Sequence, residues 1–569
     1  MRRFSSFAAA VATVALLLPA LLNPSPAAAQ AYNAQPKLVV VVVIDQFRGD
    51  YLQRYRSEFR GRGFRLLMDE GAWFPDCYYN YANTKTAPGH ATIGTGAYTD
   101  GHGIESNEWW DASRSWEHRV TSVEDERYTL VDLPAGSTAA PGASPRSLRA
   151  STLGDELRLA TSGRSRVFGV SLKDRAAILP PGQTANGAFW LDDASGHFTT
   201  STYYMEHLPE WASAFNASGR LAEAAKEAGA DGTSKFSAQI EVTPVANHYE
   251  LDFAQALITG EKLGQNATTD LLTVSLSAHD VVGHKYGPDS EQEHQMVLGL
   301  DRDLDRFFGW LDSTIGLKNV WIALSADHGV APVPATAASW GMNSATVDLK
   351  TLATNVNAAM SQRFVLAKSR YPEHALMNVL LPMSDLPYLT LDRRVFEAAG
   401  IDEKTAEDAL AAVLPEVVAK MAPVAEKGPA MHRIPPTPTV AATYTRLQLA
   451  HGELPPSEMG RELAHSYTYH GNWYVMMVLN GYQMQDQHGS GTTHFSPWSY
   501  DRHVPLAFYG APFLPGTYRG RVEPVDLAAT FASLLGVNQP SASVGHVLTQ
   551  SIKPERYAPE SGVIYGKPN

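Results

Sequence analysis

Four short stretches carry side chains of the kinds that bind divalent cations. Asp280 and His284 stand four apart in Asp-Val-Val-Gly-His, a spacing that puts both on one face of a helical turn. Asp327 and His328 are adjacent in Ala-Asp-His-Gly, Asp45 adds an early carboxylate, and His494, in Gly-Thr-Thr-His-Phe-Ser-Pro, adds a late imidazole. His488 lies in the same Gly-rich loop and competes with His494. Three aspartates and three histidines form a mixed N/O donor set that suits zinc without a thiolate. Six ligands are too many for one tetrahedral ion and fit two ions with open positions. His90, His102 and His279 are read as structural or supporting residues.

A hydroxyl nucleophile is offered by Asn-Thr-Lys-Thr-Ala-Pro-Gly-His at residues 83–90. Thr86 followed by Ala87-Pro88 predicts a helix N-cap, because threonine suits the cap and proline suits the first turn. A helix start presents free N–H groups and the positive end of the dipole to an anion. Beside a divalent cation, such a hydroxyl can be held as an alkoxide and attack phosphorus. Lys173 and Arg175 follow an apolar run in Ser-Leu-Lys-Asp-Arg. An arginine fork matches two phosphoryl oxygens and lysine adds a point charge. Asn107 offers an amide donor.

Strands must deliver these groups. The runs 38–44 (LVVVVVI), 167–172 (VFGVSL), 271–276 (LLTVSL), 320–324 (VWIAL) and 504–509 (VPLAFY) are short, apolar and β-branched, as expected of strands buried on both faces. Helical stretches fall between them, at 291–310 and 525–535. The alternation predicts an α/β fold with a doubly wound sheet, helices on both faces and inserted cap regions. Three of the strands run directly into Asp45, into His279-Asp280 and into Asp327-His328. Open α/β sheets bind ligands beyond the carboxyl ends of their strands, so three strands deliver carboxylates and imidazoles to one edge. Residues 193–265 and 332–482 are rich in Ala, Pro and polar residues and are read as insertions over that edge, with 474–479 forming a strand there or at the sheet margin.

The chain has 569 residues, 44% hydrophobic and 18% charged, a composition of globular rather than disordered chains. Arg2 and Arg3, an apolar run from about 7 to 22, and small residues up to Ala29 form a secretory signal, so residues 1–29 are expected to be removed and 30–569 to be the catalytic chain. Export follows, to the periplasm if the source is Gram-negative, with no membrane attachment after cleavage. Cys77 is the single cysteine, which excludes an internal disulfide. The formal charge of -13 has no basic block within it, so no nucleic-acid surface is expected. No obligate protein partner is evident.

Taken together, these motifs resemble the alkaline phosphatase superfamily, most closely its PafA-type branch with a threonine nucleophile. The resemblance spans nearly the whole mature chain, from Val-Ile-Asp-Gln-Phe-Arg near 45 to Pro-Ser-Ala-Ser-Val-Gly-His near 545. It implies two zinc ions per chain. One would be held by Asp280, His284 and His494, the other by Asp45, Asp327, His328 and the nucleophile Thr86. The branch's asparagine, lysine and arginine match Asn107, Lys173 and Arg175. One departure stands out: the late histidine is usually followed by glycine, and here Phe495 follows.

The resemblance further implies hydrolysis of small phosphate monoesters through a phosphothreonine. Rival readings are a phosphodiesterase or nucleotide pyrophosphatase of the same superfamily, which usually lacks the Lys-x-Arg pair, and a non-catalytic metal-binding protein. A sulfatase is disfavoured because 86–90 lacks the oxidisable residue and the arginine of that motif.

Overall fold

Leu38–Ile44 (β1) is buried along its whole length, as its unbroken apolar run requires of a central strand. It pairs in parallel with Asp270–Leu276 on one side and Val320–Ser325 on the other. The sheet they centre has nine strands. In chain order these are β1, β2 (Ala72–Tyr78), β3 (Val167–Ser171), β4 (Gly187–Asp192), β5 (His197–Thr199), β6 (Asp270–Leu276), β7 (Val320–Ser325), β8 (His503–Tyr509) and β9 (Gly516–Thr517). Across the sheet the order is β9-β2-β8-β7-β1-β6-β3-β4-β5. The five strands from β7 to β4 are parallel, whereas β8 runs antiparallel to both β7 and β2.

Register levels the strand ends. Ile44 lies opposite Leu276, Val43 opposite Ser325, and Ser275 opposite Ser171. Asp45, Asp280, Asp327 and Lys173 therefore all emerge at one edge. Both neighbours of β1 come later in the chain, so the connections diverge on either side of it, which is where open α/β sheets hold ligands.

The computed structural model describes residues 35–133, 141–230, 235–364, 379–383, 385–421, 437–486 and 491–554. The signal segment 1–29 and His488 lie outside the described residues. Among those described, no helix is long and apolar enough to cross a membrane.

The two stretches read as insertions differ in kind. Within 193–265, β5 pairs with β4 at the sheet edge, and the helix Val245–Gly260 buries Tyr249, Leu251, Phe253, Ala254, Leu257 and Ile258 where it packs near β6 and β3. Much of this stretch thus extends the main sheet and its helical cover. Within 332–482 a separate three-stranded antiparallel sheet forms, with Tyr474–Leu479 between Tyr388–Thr390 and Val440–Thr445. It has its own apolar cluster, including Leu352, Val356, Leu410, Leu414, Val475 and Met477.

Candidate active site

The helix that carries the hydroxyl, α1 (Thr86–Thr95), is buried throughout. Thr86 is its first helical residue; Lys85, in extended backbone, takes the cap position expected for Thr86. Lys85 makes no side-chain cap bond. The carboxamide of Asn107 does that work instead: its Oδ1 accepts from the backbone N–H of Ala87 at 2.9 Å. With the oxygen so used, only the Nδ2 donors of Asn107 face a ligand. His90 donates from Nδ1 to the carbonyl of Thr86 at 2.8 Å and accepts at Nε2 from Ser275 Oγ at 2.6 Å. Helix α1 comes close to the metal-ligand edge because residue 89 is glycine; a Cβ there would lie 2.2 Å from the carbonyl oxygen of Asp327.

The six expected ligands gather into two groups, Asp280 with His284 and His494, and Asp45 with Asp327 and His328. Within each group the candidate ligand atoms lie within 4.8 Å of one another. Asp280 and His284 sit on the helix α2 (Ala278–Tyr286), one turn apart as their spacing requires. All three imidazoles are pinned the same way. His284 Nδ1 donates to the carbonyl of Thr492 at 2.8 Å, His328 Nδ1 to that of Gly329 at 3.0 Å, and His494 Nδ1 to that of Thr84 at 2.5 Å. A carbonyl only accepts, so each ring carries a proton on Nδ1 and turns Nε2 toward the carboxylates of the two groups.

These donors fit divalent cations. Asp45 Oδ1, Asp327 Oδ2 and His328 Nε2 are buried with no hydrogen-bond partner among the described residues, and a buried acceptor left alone is costly. Burial, then repulsion from Asp280 and Asp327, holds the Asp45 carboxyl well above its ordinary range. Burial also depresses His328, and together with His328 and His284 it depresses His494 well below the usual value, so both rings are neutral and able to ligate. A cation among these groups would reverse the repulsion between the carboxylates.

Lys173 lies between the two groups. Its ammonium is 2.6 Å from Asp45 Oδ2 and 2.7 Å from Asp280 Oδ2. Burial works against its charge, but Asp280 and Asp45 more than offset this and raise its pKa. Asp280 is itself drawn well below the usual carboxylate range, against burial, by Lys173 and His284. Arg175 stands two residues on, in the short helix Asp174–Ile178. Its Nε is buried and has no acceptor among the described residues.

Sequence reasoning missed Gln46. It is fully buried and adopts a positive φ of 64°. That backbone turn lets its N–H donate to Asp327 Oδ1 at 3.0 Å while its Nε2 donates to Asp280 Oδ1 at 2.7 Å. One residue thus braces a carboxylate of each group. Its carbonyl side is accommodated by Gly283, where a Cβ would sit 2.0 Å from Gln46 Oε1. His279 fills the supporting place expected of it, donating from Nδ1 to the Asp45 carbonyl at 3.0 Å with Nε2 2.5 Å from Glu293 Oε1. His102 is buried and contacts Thr92 Oγ1 and the N–H of Ile104.

Comparison with known proteins points the same way. The family described as type I phosphodiesterase / nucleotide pyrophosphatase matches residues 39–443. The chain is 34% identical over 559 residues to alkaline phosphatase PhoV of Synechococcus elongatus, covering 91% of this chain and 94% of that one. It is 31% identical over 563 residues to alkaline phosphatase PafA of Elizabethkingia meningoseptica, covering 92% and 96%. The crystal structure of wild-type alkaline phosphatase PafA superposes with a TM-score of 0.79 at 30% identity, over 91% of this chain and 99% of that one. A second structure of that protein has serine in place of a threonine and alanine in place of an asparagine, a lysine and an arginine.

Proposed function

The chain belongs to the type I phosphodiesterase / nucleotide pyrophosphatase family, and on that premise we propose that it is an alkaline phosphatase hydrolysing phosphate monoesters, with Thr86 as nucleophile and two zinc ions as cofactors. One observation carries this reading. Two groups of three candidate ligands, each imidazole held at Nδ1 by a backbone carbonyl, lie at the strand edge where the helix headed by Thr86 begins. Homologues named alkaline phosphatase over nearly the full chain support it.

Asp280, His284 and His494 would hold one ion, and Asp45, Asp327, His328 and Thr86 the other. Bound there, zinc would supply Lewis-acid stabilisation of charge on the reacting oxygens and ease the deprotonation of water. The rest is done by the chain. Thr86 Oγ attacks phosphorus and the alcohol departs, leaving a phosphothreonine that water then hydrolyses. Helix α1 places its N-terminal N–H groups toward the phosphoryl charge. Asn107, its Oδ1 committed to Ala87, donates from Nδ2 to a phosphoryl oxygen. Arg175 brings an unpaired Nε–H, and Lys173 a cation between the two groups. Positioning and charge stabilisation of this kind account for most catalysis of phosphoryl transfer.

Preference for monoesters follows from the same two cations. A monoester dianion offers three non-bridging oxygens, whereas a diester replaces one with an esterified group that would press on Lys173 and Arg175. The substitutions in the related PafA structure fall on the same four residue types as Thr86, Asn107, Lys173 and Arg175. The signal at 1–29 makes the protein exported in this reading, periplasmic in a Gram-negative source.

Acid quenching after brief mixing with a phosphate monoester, followed by peptide mass analysis, tests the covalent step. A phosphoryl group on the peptide containing Thr86, missing in Thr86→Ala, is expected. Turnover with no such adduct under any quench time would contradict a threonine nucleophile.

A further inference from the structure

Phe495 adopts a backbone conformation that favours glycine, with φ of 90°. For an aromatic L-residue that is a true outlier, and such strain concentrates at functional sites. Glycine would remove the strain, so the ring must supply something glycine lacks. Its neighbours are specific. The ring centroid lies 4.2 Å from that of the ligand His494, and the Lys85 ammonium sits 4.9 Å from it on the cation–π axis. Lys85 is itself buried, directly before Thr86, with Ser106 Oγ as its hydrogen-bond acceptor at 2.9 Å.

The segment is firmly held. Thr84 Oγ1 accepts from the N–H of Phe495 and of Ser496, each at 3.1 Å. Thr492, Thr493 and His494 are buried, but Phe495 is only half-buried, so part of the ring remains open beside His494. Lys85 and Ser106 also line a shallow open recess whose walls mix Trp109, Trp110 and Tyr388 with Glu105, Glu108 and Arg119. The half-buried ring thus gives the His494 group an apolar neighbour.

We propose that Phe495 is a specificity-determining residue, its ring receiving the leaving group of the ester and favouring aromatic or apolar alcohols over small alkyl ones. This rests on the phosphatase reading, in which Thr86 belongs with the Asp45, Asp327 and His328 group, so that the Asp280, His284 and His494 group beside the ring is left to the alcohol side of the ester. An aromatic contact of this type is worth about threefold to tenfold in affinity or rate.

The test compares benzylphosphonate with ethylphosphonate binding by calorimetry, and benzyl phosphate with ethyl phosphate turnover, on the zinc-loaded full chain. Wild type, Phe495→Tyr, Phe495→Leu and Phe495→Gly are measured, with metal content determined for each. Phe495→Gly is expected to lose about threefold to tenfold for the benzyl member of both pairs with little change for the ethyl member. Phe495→Leu should fall between, and Phe495→Tyr should match wild type. Equal losses for benzyl and ethyl compounds, with metal retained, would overturn the proposal by assigning Phe495 a purely structural role. Wild type that binds and hydrolyses neither pair would instead overturn the phosphatase reading itself, and this proposal with it.

Discussion

His494 donates from Nδ1 to the carbonyl oxygen of Thr84 at 2.5 Å, which ties the last of the proposed metal ligands to a residue two before the proposed nucleophile. The bond sets the tautomer of the ring and couples two segments about 400 residues apart. Thr84 strengthens the tie through Oγ1, which accepts from the N–H groups of Phe495 and Ser496. Thr84→Val should strand both N–H groups, lowering stability by about 1–3 kcal/mol and zinc affinity by about 10- to 100-fold. Chemical denaturation and competition with a chromophoric chelator measure the two effects.

Gln46 makes a second prediction. It braces Asp327 through its backbone and Asp280 through its side chain. Gln46→Gly keeps the backbone bond and suits the positive φ, but deletes the amide on Asp280. Zinc binding at the Asp280 group should weaken by about 10-fold or more, while the Asp45 group is less affected. Stepwise metal titration separates the two; equal weakening of both would assign Gln46 a general structural role.

How far these residues could be read from the sequence depends on how local their signal is. Asp45, Asp280 and Asp327 follow closely on apolar strands, and Asp-x-x-x-His marks one helical face, so both candidate ligand groups were legible. Gln46 was not, because its role arises from a left-handed turn and from the space at Gly283, neither of which has a signature in residue type. Asn107 was read as a donor, but its capping of α1 depends on a contact across 20 positions. The three-residue strand β5 escaped notice within 193–265, since so short an element has no periodicity. Phe495 was visible as a departure from the family pattern, and its strained backbone only in three dimensions.

Lys173 offsets the repulsion between Asp45 and Asp280. Removing one partner of a buried ion pair typically costs about 3–5 kcal/mol. Lys173→Ala should therefore destabilise the metal-free protein by roughly that amount, and added zinc should recover most of it by taking over the charge compensation. Thermal unfolding with and without zinc measures this. A variant equally destabilised in both states would contradict the placement of Lys173 between the two groups.

Stability should also respond to Glu105, which burial pushes up to about 7 from an ordinary 4.5. The folded chain holds this proton more tightly than the unfolded chain. The margin is therefore complete below about 4.5 and is lost as pH rises through 7. The difference is on the order of 3 kcal/mol. Glu105→Gln should flatten the fall in stability between pH 5 and 8, as urea unfolding at a series of pH values would record. An unchanged slope would place the titration elsewhere.

Hydrolysis of p-nitrophenyl phosphate against bis-p-nitrophenyl phosphate at pH 8–9, for wild type and Thr86→Ala, with chelator and with zinc restored, bears most directly on the central claim. A strong preference for the monoester that chelator abolishes, zinc restores and Thr86→Ala largely removes is expected. A preference for the diester would contradict it and place the chain's activity with the phosphodiesterases. Zinc binding without turnover of either ester would contradict catalysis altogether.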